Sequence, residues 1–279
     1  MADGLPPGPV PVSSPWGPGL IGLTLSAFMY GVGFGQSLFY ARYFPGDHTL
    51  LKMAVMITFA MDTVHIYGCA RLYWQLLVVC RHNFSSECQT HLPLKLAVIL
   101  NYFITFTVQC FYVQRVWIIS GNHKLITILV VSTAIVEFVI GLVCSVQTFR
   151  HQTIQYIFTT PLIAYSAIAS TICDTIITIS VVYFLRAGRP KVKLRRARFV
   201  QQLTRVTINM GLLTCVMSLI TVILHAFQGE NYWVEISGII LSRSYVNSIL
   251  AVLNARKSIR DGERDSHDQT IEIPSIQII

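Results

Sequence analysis

The chain has 279 residues, of which 53% are hydrophobic and only 12% charged, with a formal net charge of +8. A soluble domain carries about 25% charged residues, so this chain lacks the polar surface for a water-facing fold, in keeping with its mean hydropathy of +0.57. The positive balance does not point to nucleic acid either, because the densest run of basic residues lies in one short segment between two apolar blocks, where a positive-inside loop belongs.

Residues 1–19 are rich in Pro and Gly with Asp3 as their one charge, and no basic segment marks a cleaved signal peptide; a disordered tail is expected. Seven apolar blocks follow, at about 20–42, 52–79, 94–119, 125–146, 161–185, 206–227 and 234–253. A bilayer core of about 30 Å needs about 20 helical residues, and in lipid a lone segment satisfies its backbone only as a helix. The expected fold is therefore all-α: a polytopic bundle of seven transmembrane helices over residues 20–253, followed by a largely disordered cytosolic tail, 254–279. Trp74, Trp117 and Trp233 fall near block ends, as interfacial aromatics do.

Charge sets the expected orientation. With the N-terminus outside, the cytosolic side holds Arg42, Lys52, Arg115, Lys124, the run from Arg186 to Arg205, and Arg256, Lys257, Arg260 and Arg264. The outer side then holds only Arg81, Lys95 and Arg150. The bias comes from short loops, where the rule applies best, and the plasma membrane is the expected location.

The external loop after the second block contains Asn83-Phe84-Ser85, which makes Asn83 a candidate for N-glycosylation. Cys80 and Cys88 are separated by seven residues and are a candidate disulfide if both face the oxidising side. The other five cysteines lie inside apolar blocks as packing residues, and without a CxxC pair no metal site is expected.

Ionisable groups inside apolar blocks cost about 2.5–3.5 kcal/mol each on insertion scales, so they mark candidate sites. Asp62 and His65 are spaced to share one face of the second helix, and Glu137 lies near the middle of the fourth. Such a group suits a proton or cation pathway, or simply a hydrogen-bonded bundle interior. Asp174 in the fifth block and Arg243 in the seventh lie at matching depth, which predicts an ion pair between them. Gly31 and Gly35 form a GxxxG pattern, which predicts a close helix–helix approach, while Asn101, Gln109, Asn209 and Asn247 read as interhelical hydrogen-bonding groups. The basic stretch Arg186, Arg189, Lys191, Lys193, Arg195, Arg196 and Arg198 is a candidate contact for anionic lipid headgroups or for a cytosolic partner of unknown identity, beside its plain role in setting topology.

The C-terminal half carries a resemblance. Asp174 with Thr175, Leu203 with Thr204, Asn209 with Gly211, and Tyr245, Asn247 and Ser248 leading to Leu253-Asn254-Ala255-Arg256 resemble a large family of fungal, mushroom-type seven-helix membrane proteins. The run from Gln109 to Trp117 is similar to the end of that family's third helix. The resemblance spans roughly 100–260 and implies seven membrane helices and a fungal source. The family's C-terminal half is a domain of unknown function, so no activity, cofactor or partner comes with it.

Three functions compete. A receptor-like sensor with a small-molecule ligand fits seven helices and a basic third internal loop, although Gln114-Arg115-Val116 lacks the acidic residue of the usual receptor triplet and Ser244-Tyr245-Val246-Asn247-Ser248 replaces the usual seventh-helix motif. A small-solute or proton-coupled transporter fits the intramembrane acids, but no internal repeat is visible. A membrane-embedded enzyme is the least supported, with His65 and His225 the clear histidines within the blocks and no His-x-x-x-His pattern. No Lys stands in the seventh block to hold a retinal Schiff base.

Overall fold

A computed structural model describes residues 17–79, 92–151, 160–188, 194–227 and 233–271, with the side chains of 185–188, 194–207, 209, 210, 235 and 258–271 outside that description. Among these residues every regular element is a helix: α1 (Gly17–Tyr43), α2 (Thr49–Trp74), α3 (Leu92–Ile119), α4 (Lys124–Arg150), α5 (Pro161–Gly188), α6 (Leu194–Ala226) and α7 (Val234–Ile271). A short π-helical turn, Gln75–Val79, continues α2. Six of the described helices are long and apolar enough to cross a membrane, and α6 contributes a shorter apolar stretch, Gly211–Ala226.

The helices pack in chain order, each beside the next, and α7 closes the ring against α1; α3 and α7 also touch across the middle. The short connections between α1 and α2 and between α3 and α4 enforce antiparallel neighbours. Between α3 and α4, Gly121 and Asn122 adopt positive φ, and the Asn122 amide donates to the Trp117 carbonyl at 3.0 Å, which caps the carbonyls at the end of α3.

The surface is inverted relative to a soluble protein. Phe28, Leu50, Ile128, Leu125 and Phe227 are all more than 60% exposed, while Asp62, His65, Glu137, Asp174 and Arg243 are buried. Outward apolar side chains match lipid tails, and the polar groups that lipid cannot solvate are satisfied inside. The chain is thus an integral membrane protein of the polytopic helical class. The membrane-crossing stretch of α7, Ile236–Lys257, is 61% buried against at most 39% for the others, which makes it the central helix.

Two expectations change. The polar stretch after residue 253 continues α7 as helix to Ile271; its sequence places Lys257 four residues before Asp261 and Arg264 four before Asp268, a spacing that supports an exposed helix. The GxxxG pattern is not the packed one: Gly31 and Gly35 face open space, whereas Gly22 and Gly33 face α7. Eleven residues is close to three helical turns, so these two share a face. A Cβ on Gly22 would lie 2.9 Å from the Ile236 Cα, and one on Gly33 would lie 2.8 Å from Asn247 Oδ1. Because backbone cannot give way, Gly22→Ala is expected to destabilise the fold by about 1–3 kcal/mol. Gly31→Ala and Gly35→Ala should be neutral or stabilising by up to about 1 kcal/mol from helix propensity alone. Thermal unfolding of the three variants in detergent separates the cases; equal losses would place the packed face on Gly31 and Gly35 instead.

Candidate functional site

Polar side chains on α7 are positioned by its central place, and they point in different directions. Arg243 faces α1 and α2. Its Nε donates to Ser26 Oγ at 3.0 Å and its Nη1 to the Asp62 carbonyl at 3.0 Å. Nη1 also forms an ion pair with Asp62 Oδ1. Nη2 lies 2.8 Å from His65 Nδ1. A guanidinium only donates, so His65 Nδ1 accepts, which places the imidazole in its neutral Nε2–H form. The Tyr30 ring stands 5.9 Å from the guanidinium. A cation buried this deeply is tolerable because almost every N–H has an acceptor.

Tyr245 is two residues further on, roughly 200° around the helix, and faces the other way. Its hydroxyl donates to Asp174 Oδ2 on α5 at 2.8 Å and lies 2.6 Å from Ser170 Oγ. Ser218 on α6 donates to Ser170 at 3.3 Å. Glu137 on α4 accepts from Gln109 Nε2 on α3 and feels the charge of Asp174. The bundle interior thus holds two polar centres: an Arg243–Asp62–His65 centre among α1, α2 and α7, and a Glu137–Asp174 centre among α3, α4, α5, α6 and α7.

The five ionisable residues singled out from the sequence are all buried, but they do not form one group. The expected Asp174–Arg243 ion pair is corrected: Arg243 pairs with Asp62, and Asp174 accepts from Tyr245. Matching depth is satisfied in both arrangements; the rotation of α7 decides between them. Sequence reasoning also passed over Ser26, Tyr30, Ser170, Ser218 and the hydroxyl of Tyr245. A usable signal was present in α5, where Ser166, Ser170 and Asp174 recur every fourth residue and so line one face.

Along the α1–α7 seam Asn247 donates to the Met29 carbonyl at 3.0 Å and Asn254 to the Gln36 carbonyl at 2.8 Å. The matched order shows that α1 and α7 run parallel. The seam ends at a third group, at the basic end of the bundle. There Arg256 Nη2 lies 2.6 Å from Asp47 Oδ2, Tyr40 donates to the same oxygen at 3.0 Å, and the Arg256 guanidinium covers the Phe44 ring at 4.4 Å. Burial works to raise the Asp47 carboxyl, but hydrogen bonds from Arg256 and Tyr40, with the charges of Arg256 and Lys52, outweigh it and hold Asp47 below its ordinary 3.8. A carboxyl depressed on folding stabilises the fold above its unfolded pKa, and that contribution disappears as pH falls through the folded value. Wild-type stability should therefore fall more steeply than that of Asp47→Asn on acidification from about pH 5 to pH 3. Unfolding midpoints across that range check it, and parallel curves would remove Asp47 from the acid response.

Asn83, Cys80 and Cys88 lie outside the described residues, as do Arg189, Lys191 and Lys193 and the side chains of Arg186, Arg195, Arg196 and Arg198. No group of three or more His, Cys, Asp or Glu side chains able to hold a metal occurs among the described residues.

The C-terminal half contains a domain of unknown function: the family DUF6534, described as a family of unknown function, matches residues 170–258. That range begins at Ser170 and takes in Asp174, Ser218, Arg243, Tyr245 and Arg256, so it supplies part of all three polar groups. No curated protein and no solved structure matches the chain.

Proposed function

We propose that this multi-pass membrane protein is a receptor-like sensor that crosses the plasma membrane seven times, with its N-terminus outside and its C-terminus in the cytosol. The observation that carries the reading is the position of α7. Arg243 ties one face of this helix to α1 and α2, and Tyr245 ties another face to α5. At the basic end the same helix is latched to the α1–α2 turn through Arg256 and Asp47. A small molecule that favours one of the two buried centres over the other would rotate or shift α7, and the shift would be read at the latch. Switching of this kind needs an element with two discrete arrangements, each biased by its own contacts.

The seven-span topology rests on the apolar stretch of α6 together with the six longer helices, and the orientation on the concentration of Lys and Arg at one end. The resemblance to fungal seven-helix proteins agrees with the number of spans. In this orientation the basic stretch from Arg186 to Arg198 faces the cytosolic leaflet, where anionic headgroups attract it by about 1 kcal/mol per basic residue.

The test is a distance measurement. Spin labels at Leu125, on the first turn of α4, and at Ser258 on α7 report movement at the basic end. Two distance populations are expected, with their ratio altered in Tyr245→Phe. One narrow distance, unchanged by the substitution, would show a rigid bundle and remove the sensor reading. Protease protection of terminal tags in intact cells checks the orientation.

A further inference from the structure

Arg71 belongs to the membrane-crossing run Thr49–Val79, yet its side chain is exposed. Asp62 is close to the middle of that run, and the nine residues from there to Arg71 rise about 13 Å. A hydrocarbon core about 30 Å thick ends about 15 Å from its middle, so the Arg71 stem carries the guanidinium up to headgroup level. Trp74, 57% exposed and three residues on, marks the same level. Among the described residues the ion pairs are Arg243–Asp62 and Arg256–Asp47, and the Arg71 guanidinium has neither an ion pair nor a side-chain hydrogen bond. A cation at the lipid boundary without a counter-charge from the protein is costly, and phosphate is the anion the bilayer offers.

Arg71 stands on a cavity of about 260 Å³ between the end of α2 and the start of α3, lined by Arg71, Leu72, Gln75, Leu92, Pro93 and Leu94. The two helices touch just before it: a Cβ on Gly68 would lie 2.5 Å from the Pro93 carbonyl oxygen and 2.7 Å from the Ala97 Cβ. Beyond that contact α2 changes to the π-helical turn Gln75–Val79, a wider turn of a kind often found at functional sites. Leu72 and Leu94 belong to a buried apolar cluster with Tyr73 and Leu76, which gives the cavity an apolar floor. Leu92, Pro93 and Leu94 form the first turn of α3, so the positive end of that helix dipole adds to the charge of Arg71.

We propose that this cavity holds one membrane phospholipid, with its phosphodiester on the Arg71 guanidinium and the first carbons of an acyl chain against Leu72, Leu92 and Leu94. The guanidinium fork matches two phosphate oxygens, and its single positive charge balances the single negative charge of a phosphodiester. Four of the six lining residues are apolar, which suits an amphiphile better than a free anion. Drug-sized pockets run to about 300–1,000 Å³, so 260 Å³ fits a headgroup with the start of a chain, and the rest of the lipid stays in the bilayer. The site is at the opposite end of α2 from the Arg256–Asp47 latch, and it does not depend on the sensor reading or on which end faces outside.

The experiment uses the full chain in nonionic detergent, with thermal unfolding measured alone and with added dioleoylphosphatidylcholine. This lipid carries the phosphodiester but no net charge, so it gives the basic stretch from Arg186 to Arg198 little to attract. Dioleoylglycerol supplies the chains without the phosphate, and glycerophosphocholine supplies the phosphate without the chains. Dioleoylphosphatidylcholine should raise the wild-type midpoint by about 3 °C, the shift expected at roughly ten times Kd, and the other two by under about 1 °C. Arg71→Gln removes the phosphate contact and Leu92→Trp fills the cavity, and each should bring the lipid shift under about 1 °C. Arg150→Gln, an exposed cation at the end of α4 that is not part of the lining, should keep it. Each shift is read within one variant, so a general loss of stability cancels. An unmoved wild-type midpoint would overturn the site, and so would a shift that survives Arg71→Gln. A shift lost in Arg71→Gln but kept in Leu92→Trp would put the phosphate on a surface arginine and overturn the cavity. An equal response to glycerophosphocholine would replace the lipid with a free anion, and an equal response to dioleoylglycerol would leave apolar contact alone; either overturns the proposal.

Discussion

Arg243→Gln and Asp62→Asn should each destabilise the protein by about 3–5 kcal/mol, and the double variant should lose clearly less than the sum. Both side chains are 1–2% exposed and form an ion pair. Loss of the guanidinium leaves the Asp62 carboxylate as an uncompensated charge and takes donors away from Ser26 and His65. Loss of the carboxylate leaves the guanidinium with Ser26 Oγ, the Asp62 carbonyl and His65 but no counter-charge. The double variant contains neither lone charge, so most of the penalty should vanish. Thermal unfolding of wild type, both singles and the double completes the cycle. Strictly additive losses would mean that the two groups are not energetic partners. Asp174→Asn paired with Arg243→Gln is the control: these residues belong to different centres, and their losses should add within about 0.5 kcal/mol.

Tyr245→Phe should cost about 1.5–3 kcal/mol, the range for a hydrogen bond to a charged group. The substitution keeps the ring in place and deletes only the hydroxyl that joins Asp174 at 2.8 Å to Ser170 at 2.6 Å. Ser244→Ala is a useful comparison, because the Ser244 hydroxyl donates back to the Ile240 carbonyl of its own helix at 3.1 Å. Such intrahelical bonds are replaceable by the backbone ladder, and its loss should be under about 1 kcal/mol. Similar midpoints for Tyr245→Phe and wild type would show that Asp174 draws no support from α7.

The sequence by itself determined the class. Lipid offers no hydrogen-bonding partner, so a chain with long apolar blocks and few charges must fold them as helices, and each block coincides with a described helix, except that α6 begins at Leu194, well before residue 206 and within the basic stretch, and α7 runs on to Ile271. Burial of Asp62, His65, Glu137, Asp174 and Arg243 was legible for the same reason, since depth in a bilayer can be counted along the chain. The helical run beyond residue 253 was not, because its polar composition suits water equally well as coil or as helix.

Only the tertiary structure decided partnership. Depth is one coordinate, and a contact also needs the order of the helices around the ring and the rotation of each about its axis. Asp174 and Arg243 match in depth, yet a turn of roughly 200° between Arg243 and Tyr245 sends the cation toward α2 and the phenol toward α5. The glycines of α1 show the same thing: Gly31 and Gly35 have the spacing of a packing motif, but α7 lies on the side of Gly22 and Gly33. Spacing along one helix names residues that share a face, while the neighbour that covers that face is chosen by the packing of the whole bundle.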